Sequence, residues 1–213
     1  MMNPAEFANI AKAEDDFWWY RGMKEILWRF LDPMAAQRKF TRVLEAGCGT
    51  GYLAKAMEQR YSWPIYAVDL GSEGLAYAKR MGAPRPVQAD ITALPFKKAE
   101  FDLVLSMDVI IHLVPGKEEE AMAEFARVLA PGGDLVLRVS ALDALRSRHS
   151  QFAHEKQRFT KKRLTRLAAR HEIRVERCTY ANTLLLPVAF AKFRIWEPLS
   201  RQPPASGVAP VSP

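Results

Sequence analysis

The stretch "VLEAGCGTGYLA", residues 43–54, constrains the fold more than any other part of the chain. Two apolar residues run into Glu45, then Gly47, Gly49 and Gly51 stand at alternate positions, and a helical pattern follows. Glycine reaches positive φ without a side-chain clash and lets backbone approach a neighbour closely. The stretch therefore reads as a strand, a tight turn and a helix. Such a unit buries its apolar faces only inside a covered parallel sheet.

The rest of the sequence supplies that sheet. "TRVLEA", "PIYAVDL", "RPVQAD", "FDLVLSMD" and "GGDLVLRVS" read as strands one to five, and "IRVERCTY" as a sixth. Between them lie the helices "GYLAKAMEQR", "SEGLAYAKRM" with Ser72 as N-cap, "EEEAMAEFARVLAP", and "FTKKRLTRLAARHEI" capped by Thr160. A helix over residues 15–31 precedes the glycine turn, and Pro33 ends or kinks it. The Pro-rich stretch "SRQPPASGVAPVSP" reads as a flexible tail.

Ligands of parallel α/β sheets bind beyond the carboxyl ends of the strands. Glu45, Asp69, Asp90 and Asp108 fall at four such ends, and four acids on one rim repel unless a cation relieves them. The spacing G-x-G-x-G differs from the G-x-G-x-x-G that places a pyrophosphate on a helix N-terminus. Glu45 beside it disfavours a pyrophosphate and favours an ammonium or sulfonium. Asp69, 18 residues beyond Gly51, suits two vicinal ribose hydroxyls. Together these features point to a nucleoside bearing a cationic amino-acid group. The bland readings are that Gly49 only permits the turn, that Asp69 is solvated and that Asp90 caps a turn. Cys48, between two glycines, reads as a small packing residue.

"VLEAGCGTG", "AVDLG", "QADITALPF", "FDLVLSMDVIIHL" and "RVLAPGGDLVLRV" resemble, in order, the motifs of class I S-adenosylmethionine-dependent methyltransferases. The closest likeness is to the type 11, ubiquinone/menaquinone methyltransferase-like branch. It covers about residues 43–139 and extends weakly to 186. The resemblance implies an α/β, Rossmann-like, doubly wound and mostly parallel sheet of six to seven strands, with helices on both faces. After Tyr180 no convincing seventh strand is visible.

The implied cofactor is S-adenosylmethionine. Gly47, Gly49, Gly51 and Glu45 would meet its methionyl arm, Asp69 the ribose and Leu70 the adenine face. Asp90 and the Ile91 amide would meet the adenine edge, and Ser106, Met107 and Asp108 would line the methyl-donor end. Arg21, in "FWWYRG", would meet the cofactor carboxylate, and Trp18 and Trp19 would either cover the site or anchor in the core. His112 follows strand four in "DVIIHL", where relatives carry an acid at the position of Ile111. His112, His154 and Asp108 are the candidates for handling the acceptor's proton. His149 and His171 read as surface residues.

The segmentation expected is residues 1–40 as a helical lid, 41–186 as the methyltransferase domain, and 187–213 as an apolar segment and tail. The implied function is methyl transfer to a small-molecule or lipid-like acceptor. A silent cofactor-binding protein and an NAD-dependent oxidoreductase are the alternatives.

Charge bears on partners. The net charge of +7 equals the surplus in residues 141–180, which hold eleven basic and four acidic side chains. A solvated helix face, steering of an anionic acceptor, and docking on an anionic membrane are the readings considered. The solvated face is the commoner reading, and the apolar run "TLLLPVAFAKFRIW" beside it keeps peripheral membrane contact through residues 141–196 as an alternative. No aromatic platform accompanies the basic residues, so nucleic acid is not expected. Two distant cysteines, no secretory pattern and no spanning run lead to the expectation of a cytoplasmic protein, peripheral to a membrane at most. No metal site is expected.

Overall fold

The computed structural model describes residues 2–200 and 202–208. Its centre is a parallel sheet of β1 (Val43–Ala46), β2 (Ile65–Asp69), β3 (Pro86–Gln88), β4 (Phe101–Met107) and β5 (Leu129–Arg138). The strand order is β3-β2-β1-β4-β5. β1 pairs with both β2 and β4, Glu45 lying beside Ala67 on one side and Leu105 on the other. The order reverses there, so the crevice beyond β1 and β4 is the switch point at which such sheets open to ligands.

Helices α1 (Pro4–Ala13) and α2 (Trp18–Gln37) precede the sheet. α3 (Tyr52–Tyr61) and α4 (Ser72–Met81) follow β1 and β2, and α5 (Lys117–Val128) precedes β5. Beyond it lie α6 (Arg148–Phe152), α7 (Lys161–Arg170), α8 (Leu186–Ala191), a π-helical turn Lys192–Trp196 and α9 (Glu197–Ser200). Alternation along the strands divides the core in two. Val43, Ile65, Ala67, Leu103 and Leu105 pack with Leu27, Leu31, Met57 and Leu75 on one face. Leu44, Ala46, Val68 and Val104 pack with Met122, Phe125, Phe159 and Leu167 on the other.

Four sequence expectations require correction. The sheet has five strands among the described residues, not six to seven. Residues 173–180 form no strand, and Arg174, Val175 and Glu176 are all exposed. A strand added beside β5 is covered on both faces, and alternate charges at 174 and 176 would have to enter that core. Second, α2 does not end at Pro33, the first of the two alternatives, but runs through it to Gln37. Residues on both sides of the proline, Leu31 before it and Met34 and Ala35 after it, pack in one cluster, and this offsets the lost helical hydrogen bond. Third, Gly71, not Ser72, is the N-cap of α4. Fourth, His171 is not a free surface residue, since its Nε2 lies 2.9 Å from Glu119. Thr160 caps α7, accepting from the Arg163 amide at 3.2 Å.

Helix α1 lies within the expected helical lid, although its own extent was not read from the sequence. Asn3 caps it, accepting from the Ala5 amide, and Pro4 opens it. It packs on α4 at the carboxyl edge of the sheet. The Pro-rich stretch falls partly on Arg201 and residues 209–213, which lie outside the described residues. In its described part, Ser206 donates to Glu6 at 2.9 Å and the Gly207 amide to His149 Nδ1 at 3.0 Å.

Candidate functional site

Beyond β1 the chain turns on three glycines with φ of +94° (Gly47), +54° (Gly49) and +75° (Gly51). The amides of Gly47 and Cys48 both donate to the Val68 carbonyl at 2.7 Å, which ties the turn to the end of β2. The three glycines have different reasons. A Cβ at Gly47 would stand 2.2 Å from Val109 Cγ2, and one at Gly51 2.5 Å from the Ala83 Cβ. Both are therefore closed in by the protein itself. At Gly49 the nearest atom is Phe7 Cε1 at 3.8 Å, so this glycine alone faces open packing space.

Asp69 is woven into the turn. One carboxylate oxygen accepts from the Gly71 amide at 2.7 Å and the other from the Gly49 amide at 2.8 Å. Burial raises its pKa and the amide hydrogen bonds oppose the shift. Leu70, next along, is 42% exposed and presents an apolar face to solvent. Asp90 accepts from both the amide and the hydroxyl of Thr92 at 2.8 Å, the turn-capping arrangement. Ile91 is buried in the core.

Glu45 is 3% exposed, and its Oε2 is buried without a hydrogen-bond partner. Burial and the nearby Asp69 hold its carboxyl well above the usual carboxylate range. Glu14 is a second such acid, also 3% exposed, and it comes from the end of α1. Its Oε2 accepts from the Thr50 hydroxyl at 2.6 Å, while its Oε1 is buried without a partner. Cys48 is buried and its thiol is pushed up by burial and the neighbouring acids, so it is a packing residue and not a nucleophile.

The Glu14 carboxyl is pushed up to about 7 from 4.5, mainly by burial. The folded state thus holds this proton more tightly than the unfolded chain. The associated stability is fully present below pH 4.5 and is lost as pH rises through 4.5 toward about 7. A Glu14→Gln variant, titrated by thermal unfolding without ligand, is expected to gain stability over the wild type as pH rises from about 5 to about 8. An unchanging gap between the two proteins would contradict a buried, titrating Glu14.

At the neighbouring strand end, Ser106 is fully buried and its hydroxyl donates to the Ala46 carbonyl at 2.9 Å, which binds β4 to β1. Met107 packs at the edge of the core. Asp108 has φ +58°, and its carboxylate accepts from Arg138 Nε at 2.7 Å. The 3₁₀ turn Ile110–His112 follows, with Ile111 buried in the core. His112 Nδ1 lies 3.4 Å from the His154 carbonyl, and burial lowers the imidazole's pKa. The His154 side chain is exposed, so this residue meets His112 through its backbone. Tyr20 of α2 is half-buried near Glu6, Glu14, Asp108 and Arg138. Arg21 is exposed, as are Trp18 (61%) and Trp19.

Glu14, Thr50, Tyr20 and Phe7 were not singled out from the sequence. Nothing in "AEDDF" separates Glu14 from the exposed Asp15 and Asp16 except its phase. Glu14 stands seven residues after Phe7, which is two helical turns and the same face. Phe7 is itself 3% exposed, and its ring packs on Gly71 and Gly74.

A family model described as a methyltransferase domain matches residues 44–137. Malonyl-[acyl-carrier protein] O-methyltransferase of Enterobacter lignolyticus is 36% identical over 130 residues, covering 59% of this chain and 51% of that protein. Fatty-acid O-methyltransferase of Mycolicibacterium smegmatis is 38% identical over 96 residues, covering 43% and 34%. The chain thus spans about half the length, or less, of these curated relatives. Among solved structures, Haemonchus contortus phosphoethanolamine N-methyltransferase 2 in complex with S-adenosyl-L-methionine superposes with a TM-score of 0.63 at 20% identity, covering 79% of this chain and 41% of that one.

Proposed function

Residues 44–137 belong to the class I S-adenosylmethionine-dependent methyltransferases, type 11 branch, and from that membership we propose that the chain binds S-adenosylmethionine and methylates an oxygen of a small or lipid-like acceptor. The observation that carries this reading is the orphaned, buried Oε2 of Glu45 on the glycine turn. A buried carboxylate oxygen without a partner is costly, and a ligand cation satisfies it. The donor set fits the cofactor in other respects. Asp69 can accept from ribose hydroxyls, Leu70 offers an apolar face to the adenine, and Gly49 leaves room for close approach. Asp90 and the Ile91 amide are the groups for the adenine edge. Gly47, Gly51, Ser106 and Met107 shape the cradle. The oxygen acceptor is supported by the O-methyltransferases among the relatives, those of Enterobacter lignolyticus and Mycolicibacterium smegmatis included.

S-adenosylmethionine supplies a methyl group on a positively charged sulfur. The protein's own work is to hold the acceptor in line and manage its proton. His112 is the candidate base. Its Nδ1 proton directed at the His154 carbonyl leaves Nε2 as a free lone pair, and its lowered pKa keeps the ring neutral near pH 7. His154 then acts as a positioning residue through its backbone. Asp108, paired with Arg138, holds the loop that carries His112. Residues 1–40 form the cover of the site, with Arg21 available to the cofactor carboxylate.

Calorimetric titration with S-adenosylmethionine and, separately, NAD tests the cofactor. Micromolar binding of the first and none of the second is expected, because Glu45, Glu14 and Asp69 oppose a pyrophosphate. Preference for NAD overturns the reading. Methyl transfer to fatty acids and acyl carriers then tests the reaction, and binding without product across that panel favours a silent cofactor-binding protein. A His112→Ala variant is expected to lose most turnover while keeping its affinity for S-adenosylmethionine.

Peripheral membrane contact is part of the proposal. Residues 184–199 expose Leu184 (94%), Val188 (67%), Trp196 (71%) and Leu199 (75%), with Lys192 and Arg194 among them. No helix among the described residues is long and apolar enough to cross a membrane. Three of the eleven basic residues in 141–180 pair with acids outside that segment, Arg148 with Glu197, Arg163 with Glu118 and Arg170 with Glu119, so part of the charge surplus is neutralised within the fold and the apolar segment carries more of the contact. Co-sedimentation with anionic phospholipid vesicles is expected, and weaker co-sedimentation after Trp196→Ser. Equal recovery in the supernatant with and without vesicles would remove membrane contact from the proposal.

A further inference from the structure

We propose that Glu14, held on the glycine turn through Thr50, joins Glu45 in receiving the ammonium group on the amino-acid arm of S-adenosylmethionine. The proposal rests on the methyltransferase reading and assigns the N-terminal segment a binding role that the matched domain, residues 44–137, does not contain.

The geometry starts from two unsatisfied atoms. Oε1 of Glu14 and Oε2 of Glu45 are both buried without a hydrogen-bond partner, on side chains 3% exposed. Each residue reaches the glycine turn, Glu45 as its strand entry and Glu14 through the 2.6 Å bond from the Thr50 hydroxyl. Thr50 lies between Gly49 and Gly51 and is itself buried. That bond uses one oxygen of Glu14 and leaves the other for a ligand.

Two buried carboxyls that each leave an oxygen without a partner are a poor structural device, since folding gains nothing from an unsatisfied oxygen. They form a good receptor for a cation. A primary ammonium carries three N–H donors on a compact charge, and two orphaned carboxylate oxygens accept two of them. A phosphate here would be repelled by the two acids.

The surroundings set the pH behaviour. Glu14 is faced by Thr50 of the turn, Glu45 of β1, its neighbour Asp15, and Lys24 and Tyr20 of α2. Lys24 is engaged with the Tyr52 hydroxyl. Burial outweighs Lys24, so the free protein holds Glu14 near half-ionised at neutral pH, and a bound ammonium draws it to the carboxylate.

The test is equilibrium binding of two probes by wild type and Glu14→Gln. One probe is S-adenosylmethionine. The other is 5′-methylthioadenosine, the same nucleoside thioether without the amino-acid arm. Glu14→Gln is expected to weaken S-adenosylmethionine at least about tenfold, the scale of one charged hydrogen bond. It should leave 5′-methylthioadenosine within about twofold. Thr50→Val, which frees Glu14 from the turn, should shift the first probe in the same direction and spare the second. Wild-type affinity for S-adenosylmethionine should rise between about pH 6 and about pH 7.5, and the rise should be smaller in Glu14→Gln, where Glu45 alone is left to titrate. Equal losses for both probes would make Glu14 a structural residue, and no loss for either would remove it from the site; both outcomes overturn the proposal. A folded wild type that binds 5′-methylthioadenosine but not S-adenosylmethionine also overturns it. A wild type that binds neither probe instead brings down the cofactor reading on which the proposal rests.

Discussion

Asp69→Ala is expected to reduce S-adenosylmethionine affinity at least a hundredfold, roughly the loss of two charge-assisted hydrogen bonds at about 1.5 kcal/mol each. The side chain has a second duty that the variant exposes. Its two oxygens accept from the Gly49 and Gly71 amides, so alanine leaves both donors without an acceptor. Each buried, unpaired donor costs about 1–3 kcal/mol, and a falling melting temperature should accompany the lost binding. Asn separates the two effects only in part, because one of its terminal atoms is itself a donor and would face an amide N–H. Calorimetry below the melting temperature of each variant, with folding checked by circular dichroism, reads the binding loss alone. An Asp69→Ala protein that stays folded and binds normally would exclude this residue from the cofactor site.

The second large effect belongs to Gly51. A Cβ at this position would stand 2.5 Å from the Ala83 Cβ, 2.8 Å from the Ala78 Cβ and 3.0 Å from the Ala78 Cα, and the backbone holds φ at +75°. The Ala78 Cα and the two methyls are short, stiff neighbours, so α4 must shift. Gly51→Ala therefore combines left-handed strain with overpacking, each about 1–3 kcal/mol, for a loss of about 2–6 kcal/mol. For a chain of this size that lowers the melting temperature by roughly 4–24 °C. Gly82→Ala is the control. Its φ of +73° is nearly the same but nothing lies within 4 Å of the added atom, so a loss near 1 kcal/mol is expected. Equal losses at the two sites would show that backbone conformation alone, and not the approach of α4, requires Gly51.

These two experiments part the glycine turn into what it does for the ligand and what it does for the fold. In the sequence, Gly47, Gly49 and Gly51 form one motif with one purpose. In the structure Gly47 closes on Val109, Gly51 closes on α4, and Gly49 alone retains a free face. A sequence motif records that a side chain is intolerable without recording what would collide with it.

The same contrast runs through the rest of the chain. Strands β1 to β5, the helices between them and the carboxyl-end position of Glu45, Asp69, Asp90 and Asp108 were legible, because apolar periodicity and glycine spacing are local properties. The basic surplus in 141–180 was legible as a sum but not as a partner, since ion pairs such as Arg163 to Glu118 join residues 45 apart. The "IRVERCTY" segment has strand-like composition, yet a strand exists only where a neighbour accepts its edge and its charges can remain in water. Pro33 carries a helix-breaking signal that side-chain packing outweighs.

The sequence by itself determined that this chain builds a parallel α/β sheet with a glycine turn at an acidic rim, because alternation, turn chemistry and charge reside in neighbouring residues. Only the tertiary structure decided which acids meet there. Glu14 and Glu45 are 31 positions apart, and it is the seating of α1 on the turn, with Phe7 on Gly71 and Gly74 and Glu14 on Thr50, that brings a second buried carboxyl to the turn that Glu45 enters. Burial then raises their pKa values and leaves one oxygen of each unpartnered, a property that neither residue has as a member of a sequence.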